Sequence, residues 1–364
     1  MKVLFWVPYP REGPSNRYRV EQYLSYLRNE GIGYCLRPFW NSFAFKILYK
    51  DKLYFKKLYY FVLGTLSRLC DILCIAQYDI VFIHRESYPI GGAFFETILF
   101  LLKKPFIFDF DDAIFITSTS KSNIFMGWLK NPGKIPIIIK KSSCVIAGNH
   151  YLADFALRYN QSVTIIPTTV DTDKYYPAER KLQDKVFIGW IGSVTTSDFL
   201  SKIKNVFIRL SDLFPGLVFK IVGADFTING LTSIISRPWT LDRELDELRT
   251  FDIGIMPMPD NKWTRGKCGF KALLYMSMAI PCVCSPVGAN SEIITDGING
   301  LLADTDDEWI KKLSQLIKDC NLRKKIGVAA RRTVQERYSL KVNAPKFLEV
   351  IKRVYRQGQY KDLA

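Results

Sequence analysis

Histidine is nearly missing from this chain of 364 residues: His84 and His150 are the whole supply. A His-rich metal centre is therefore not expected, and no H-E-x-x-H occurs. The eight cysteines are scattered. Their closest pairs, Cys70 with Cys74 and Cys282 with Cys284, lack the C-x-x-C spacing of zinc and redox sites, so free thiols in a reducing compartment are the plain reading. No run of 18 apolar residues occurs, which argues against a transmembrane helix. The opening Met-Lys-Val-Leu-Phe-Trp-Val-Pro is too short in its apolar part for a signal peptide and reads as a first strand. Neither G-x-G-x-x-G nor a Walker loop is present. Acid is scarce relative to base: 51 Lys and Arg stand against 35 Asp and Glu, a net charge of +16. Residues 1–170 hold 21 of those cations and 12 of the acids. Such a field suits phosphorylated small molecules, anionic lipid or nucleic acid, and charge alone does not choose among them.

What is present is an alternation. Short apolar runs at 3–7, 80–83, 106–110 and 144–147 are separated by helix-length segments, and runs at 186–191, 218–222, 253–256 and 282–284 repeat the pattern. Short continuous apolar runs of this kind are buried parallel strands, so the expected fold is α/β with two doubly wound, Rossmann-like domains. Ser15 is placed as the N-cap of a first helix, with Val20, Tyr23, Leu24 and Leu27 on one face and Gly31 as its stop. Thr305 with Glu308 forms a capping box for a later helix. Two prolines and polar residues at 166–177 suit a linker. The expected division is residues 1–168, residues 169–340, and a basic helix at 341–364 that packs back on the first domain.

In doubly wound sheets, ligands bind beyond the carboxyl ends of the strands. Gly189-Trp-Ile-Gly192-Ser193 follows one strand, and its glycines would let the backbone approach a ligand; a tight strand-to-helix turn is the structural alternative. Trp263-Thr-Arg-Gly-Lys-Cys-Gly-Phe-Lys271 precedes a helix and places Arg265, Lys267 and Lys271 around two glycines. Lysines at a helix start are electrostatically unfavourable, so two of them there point to a bound anion, a diphosphate clamp opening at Gly269, Phe270 and Lys271. A solvated basic loop is the plainer alternative. In Pro286-Val-Gly-Ala-Asn290-Ser-Glu292, Asn290 and Glu292 are candidates for sugar or ribose hydroxyls, and Glu292 reads equally as a first-turn acid favoured by the helix dipole.

The stretch from Gly266 to Ile294, followed by Asp296-Gly-Ile-Asn-Gly-Leu-Leu302, resembles the donor-binding region of glycosyltransferase family 4. Ile166-Pro-Thr-Thr-Val-Asp171, Gly189-Trp-Ile-Gly-Ser193 and Phe251-Asp-Ile-Gly-Ile-Met-Pro257 are similar, in order, to that family's linker, the opening of its second domain and the strand before its donor loop. The resemblance implies a GT-B fold, two domains facing a cleft with the last helix crossing back to the first. It implies a nucleotide-sugar donor in the second domain and a retaining transfer without metal. It also places Arg237, Pro238 and Trp239 where the family holds the base, with packing as the other reading of Trp239. Where the family carries two glutamates eight positions apart, this chain has Gly266 and Leu274, so Arg265, Lys267 and Lys271 are expected to take over the diphosphate, Lys267 in a catalytic role.

In the first domain, Phe108-Asp-Phe-Asp-Asp-Ala-Ile-Phe115 ends a strand, and Asp111 or Asp112 falls near the family's catalytic histidine. A metal site made by Asp109 with Asp111, or helix capping, is the competing reading. Gly13, Arg17, Arg19, Arg85 and Glu86 are expected around the acceptor, the arginines because a planar fork suits phosphate. Residues 41–70 interleave Phe43, Phe45, Tyr49, Tyr54, Phe55, Tyr59, Tyr60 and Phe61 with Lys46, Lys50, Lys52, Lys56, Lys57 and Arg68, against Asp51 alone. A basic aromatic helix suits an anionic bilayer surface, packing on the sheet being the alternative. The combined expectation is a glycosyltransferase building surface polysaccharide on a saccharide or lipid-linked saccharide acceptor, peripheral at the cytoplasmic face of the membrane, without nucleic acid as partner. A nucleotide-sugar epimerase and a basic nucleic-acid-binding protein are the competing classes, and the second has no zinc-finger or RNP-like motif to support it.

Overall fold

The computed structural model describes residues 1–48, 50, 52–116, 131–177 and 185–361; Tyr49 and Asp51 lie outside the described residues. The chain divides into two compact units, Met1–Thr168 with Asn343–Ala364, and Thr169–Val342.

Unit 1 is built on six parallel strands: β1 (Lys2–Val7), β2 (Gly33–Pro38), β3 (Ile80–His84), β4 (Phe106–Phe110), β5 (Cys144–Ala147) and β6 (Val163–Ile165). Their spatial order is β2-β1-β3-β4-β5-β6. The central strands are apolar without alternation because helices cover both faces of a parallel sheet. Every residue of β3, β4 and β5 is buried. The order reverses between β1 and β3, so their carboxyl ends flank the crevice where such sheets bind ligands. The last helix, Leu340–Lys361, belongs to this unit from Asn343 onward. Its Phe347 stacks on Tyr23 with ring centroids 4.4 Å apart and leans on Phe82 at 5.2 Å.

Unit 2 repeats the plan with β7 (Phe187–Ile191), β8 (Val218–Val222), β9 (Ile234–Arg237), β10 (Ile253–Met256), β11 (Cys282–Cys284) and β12 (Leu301–Leu302), in the order β12-β11-β10-β7-β8-β9. The reversal falls between β7 and β10. The capping box is formed: Thr305 Oγ1 accepts from the Glu308 amide at 3.3 Å, and Glu308 Oε2 accepts from the Thr305 amide at 3.4 Å. Among the described residues no helix is long and apolar enough to cross a membrane.

Two local expectations are corrected. The first helical turn, Pro14–Asn16, is capped by Gly13 without a side-chain bond and runs through a π-helical turn, Arg17–Glu21, into the helix Gln22–Asn29. Ser15 is therefore inside the first turn, and its hydroxyl is turned to other partners. Gly189 does not bring backbone to a ligand. A Cβ there would lie 2.0 Å from the Phe251 ring, so the missing side chain makes room for core packing. Gly189→Ala is expected to overpack this strand and cost about 1–3 kcal/mol. The check is thermal denaturation, where a unit of this size loses roughly 2–4 °C per kcal/mol.

Candidate active site

At the carboxyl edge of unit 1, charged side chains join into one hydrogen-bonded chain across β1, β3 and β4. Asp109, at the end of β4, is fully buried and accepts from Arg19 through both oxygens. Its Oδ2 also lies 2.6 Å from His84 Nδ1. His84 Nε2 is 2.6 Å from Ser15 Oγ, which donates to Asp111 Oδ2 at 2.8 Å. Asp111 Oδ1 accepts from Arg85 Nε at 2.7 Å, and the same guanidinium bridges to Asp112. Burial by itself would push the Asp111 carboxyl up, but the charge of Arg85, then those of His84 and Arg19, hold it below the ordinary carboxylate range.

The protons follow from counting donors. A hydroxyl has one hydrogen. Ser15 gives it to Asp111, whose carboxyl the neighbouring cations hold low. Arg19 and Arg85 stand against Asp109, Asp111 and Asp112, with His84 and Ser15 hydrogen-bonded between them, since buried ions require close partners. Arg85 holds its fork in place with a left-handed backbone, φ 62°. For a non-glycine residue that conformation is strained and tends to mark functional positions.

This arrangement revises several expectations. Arg19 is buried, held by Asp109 and by the Ile166 carbonyl at 2.6 Å, so it braces the site and is not available to an acceptor phosphate. Asp109 and Asp111 are each engaged by different cations, Arg19 and Arg85, and among the described residues no group of three or more metal-ligating side chains gathers. Arg17 is buried with its guanidinium 4.8 Å from the Tyr18 ring centre. Glu86 pairs with Lys134 at 2.7 Å. Gly13 closes a turn onto the Pro10 carbonyl, 2.9 Å. Of the acceptor set, Arg85 reaches the edge with part of its side chain exposed. His84 and Ser15 were undervalued in the sequence, because their partners lie 25 and 96 residues away.

In unit 2 the loops after β7, β8 and β9 meet. A Cβ on Gly223, after β8, would lie 2.0 Å from the Gly192 carbonyl oxygen and 3.2 Å from Trp239 Cβ. With φ 95° as well, the position admits glycine alone. A Cβ on Gly192 would lie 2.7 Å from Lys271 Cε. Lys271, in the first turn of the helix Phe270–Ser277, thus reaches over the Gly192 loop, its Nζ 3.5 Å from Thr196 Oγ1 and 5.3 Å from the Trp190 ring centre. Gly269 caps that helix in the left-handed conformation and leaves its first amides without a side-chain cap. Lys267 Nζ sits 3.8 Å from the Trp263 ring centre. Asn290 is fully buried and donates to the Ser285 carbonyl at 3.0 Å; Glu292 is exposed in the first turn of the next helix, Ala289–Ile293. Ser193, Arg237 and Pro238 are exposed at the same strand ends.

Arg265 departs from the expected clamp. Its fork is taken bidentately by Asp260, at 2.6 and 2.8 Å, so part of its charge is offset. Trp239 is fixed by Glu244, a residue the sequence did not single out. The carboxylate accepts from Trp239 Nε1 at 2.8 Å and from Tyr175 Oη at 2.6 Å.

Residues 187–319 match the family model of group 1 glycosyl transferases. No curated protein matches the chain significantly. Among solved structures, a glycosyltransferase from Rickettsia africae is similar over 97% of this chain and 98% of its own, with TM-score 0.68 and 16% identity. Sucrose-phosphate synthase from Thermosynechococcus elongatus matches over 98% and 99%, with TM-score 0.67 and 13% identity. HepE of Anabaena, solved in complex with UDP-glucose, matches over 97% and 100%, with TM-score 0.68 and 13% identity. The fold is GT-B, and with the group 1 domain in unit 2 the chain is a glycosyl-transfer enzyme.

Asp111→Asn is expected to leave Arg85 undercompensated and to cost on the order of 3 kcal/mol near neutral pH. Because the folded carboxyl titrates below its unfolded value of about 3.9, its stabilisation is complete above that pH and is lost as pH falls through the folded value. The stability gap between wild type and variant, from chemical denaturation, should therefore be constant from neutral pH down to about 5 and narrow below about 4.

Proposed function

We propose that the enzyme transfers a sugar from a nucleotide-sugar donor held by unit 2 to a saccharide acceptor held by unit 1, with retention at the anomeric carbon as in family 4. The observation that carries this reading is Lys271 lying across the Gly192 loop in the first turn of the helix Phe270–Ser277. The positive end of a helix dipole and an ammonium converge there, and a diphosphate is the group that would use both. The complex of HepE with UDP-glucose supports a donor of this class.

In the transfer, the bond from the anomeric carbon to the diphosphate oxygen breaks and a bond to the acceptor oxygen forms. Positive charge spreads over the sugar ring, and negative charge grows on the leaving diphosphate. Lys271 and Lys267, fixed near that charge, stabilise it more in the transition state than in the ground state, which is the condition for catalysis. The acceptor proton goes to the departing phosphate. Asp111 and Asp112 serve this reading as the frame that aims Arg85 at the acceptor, since a carboxyl held so low is a poor base. The fixed cations neutralise the diphosphate without a metal ion. Trp239, held edge-on by Glu244, offers a ring for the base.

The acceptor in this reading is a lipid-linked saccharide of a surface polysaccharide, met at the cytoplasmic face by peripheral contact with anionic membrane. The charge excess of the first half supports it.

The test is thermal shift against UDP-, GDP- and ADP-sugars with EDTA present. One nucleotide class should stabilise the protein, by about 2.7 kcal/mol at a hundred times its Kd. Lys271→Ala and Lys267→Ala should each weaken that shift, and mass analysis should show the acceptor gaining one sugar as nucleotide diphosphate is released. No shift with any nucleotide, or a shift indifferent to both lysines, removes the donor site. An epimerised nucleotide sugar without released nucleotide would replace transfer by epimerisation.

A further inference from the structure

Residues 41–70 carry two opposite faces, and the structure separates them. Phe45 packs edge-on to Tyr9 with centroids 5.4 Å apart, and Tyr60 and Phe61 pack on the buried cluster of Phe39, Trp40 and Ala44. Arg68 is wholly buried. Its guanidinium donates to the carbonyls of Ser87, Val7 and Arg37 at 3.1–3.2 Å and lies over the Trp6 ring, and burial lowers it to about 10. Arg68 is thus a bolt fastening the helix Tyr54–Leu73 to the sheet, and its place among the surface cations is corrected. Gly64 allows the close seat, since a Cβ there would lie 2.8 Å from the Phe39 carbonyl oxygen.

Fastened this way, the helix turns an apolar stripe outward. Phe55, Tyr59, Val62, Leu66, Leu69 and Leu73 are exposed by 90, 60, 46, 51, 42 and 84%. Their spacing alternates four and three, a single seam along the whole helix. The neighbouring helix Phe94–Leu101 extends it: its Phe95 packs on the same Trp6 ring at 6.1 Å, and its Phe94, Phe100 and Leu101 are more than half exposed. An apolar surface this continuous is not ordinary for a solvated face.

Charge decides the occupant. Lys46, Lys50, Lys52 and Lys56 are exposed at or just before the start of the helix. The one acid of the helix, Asp71, is buried and paired with Arg68 and Arg37. A second copy pairing through the seam would therefore bring no acid of this helix to the lysines, whereas an anionic lipid surface offers acyl chains to the stripe and headgroups to the cations.

Topology fixes the direction. The helix leaves the carboxyl end of β2 and returns to the start of β3, so it runs antiparallel to the strands. Its cationic first turn lies at the edge that carries Ser15, His84, Arg85 and Asp111. The helix Ser42–Leu48 ties that end to the loop after β1 through Ser42 Oγ, which donates to Glu12 Oε2 at 3.2 Å.

Resting on the membrane contact above, we infer that the outer faces of Tyr54–Leu73 and Phe94–Leu101 form one docking surface for an anionic bilayer. The long helix lies in the headgroup plane, with its cationic end beside the acceptor edge of unit 1. A lipid-borne acceptor would reach Arg85 from the same plane.

The experiment is co-sedimentation of the full chain with vesicles of phosphatidylglycerol and phosphatidylcholine in equal parts, and with phosphatidylcholine alone. Wild type should sediment with the anionic vesicles and much less with the neutral ones. Phe55→Ser with Leu66→Ser and Leu73→Ser should lower partitioning at least tenfold at every salt concentration. Replacing Lys46, Lys50 and Lys56 by Gln should lower it by roughly 100-fold at low salt, about 5-fold for each cation, and flatten the salt dependence. All substituted positions are exposed, so unchanged melting temperatures certify the fold. Equal sedimentation of wild type and the apolar variant overturns the inference, as does a concentration-dependent dimer abolished by that variant without vesicle binding. Donor stabilisation is read without vesicles. Loss of docking with the donor shift intact therefore sinks the surface alone, and docking without a donor shift sinks the donor site alone.

Discussion

A charge placed inside a protein has to find its opposite within hydrogen-bond distance, and the ligand edge of unit 1 is organised by that demand. Asp109 is buried at the end of a central strand, and Arg19 and His84 are drawn in to meet it. His84 meets Ser15 through its other ring nitrogen, and Ser15 passes its proton outward to Asp111. Asp111 and Asp112 in turn hold Arg85. Each member is oriented by the next, so rigidity at the core end is transmitted to the side chain that reaches the surface. A site assembled this way is preorganised, and its carboxylates serve as scaffolding for a cation.

Unit 2 meets a different demand, the close approach of backbone. Gly192 and Gly223 are neighbours whose missing side chains leave room for each other's loops and for the Lys271 stem. The result is a close meeting of loops at the reversal between β7 and β10, with the Lys271 ammonium over the Gly192 loop. Trp239 stands beside Gly223, its indole nitrogen held by Glu244. Two glycine-rich loops in one unit and a chain of paired ions in the other are different means to one end: polar groups fixed before a ligand arrives.

The helix Tyr54–Leu73 shows how far a buried group can govern a surface. Arg68, held by three carbonyls and paired with a neighbouring carboxylate, ties one face of the helix to the sheet, and the apolar seam faces outward.

Much of this was legible in the residues alone. Alternating apolar runs determined two parallel sheets, because strands buried on both faces must be apolar throughout. The Thr305–Glu308 cap and the basic segment before Phe270 were equally local, since their partners lie within a few positions. Tertiary structure alone decided what each polar side chain does. Ser15 reads as a helix cap until β3 and β4 bring His84 and Asp111 beside it, and Arg19 reads as a phosphate ligand until Asp109 claims it. Gly189 reads as a ligand contact until Phe251 fills the space above it. The residues of 41–70 form one cationic, aromatic list in the sequence, and only the packed helix sorts Phe61 inward and Phe55 outward. Periodicity is a property of neighbours along the chain and is written in the sequence. The pairing of charges and the filling of volume join residues tens of positions apart, and they exist only once the sheets have formed.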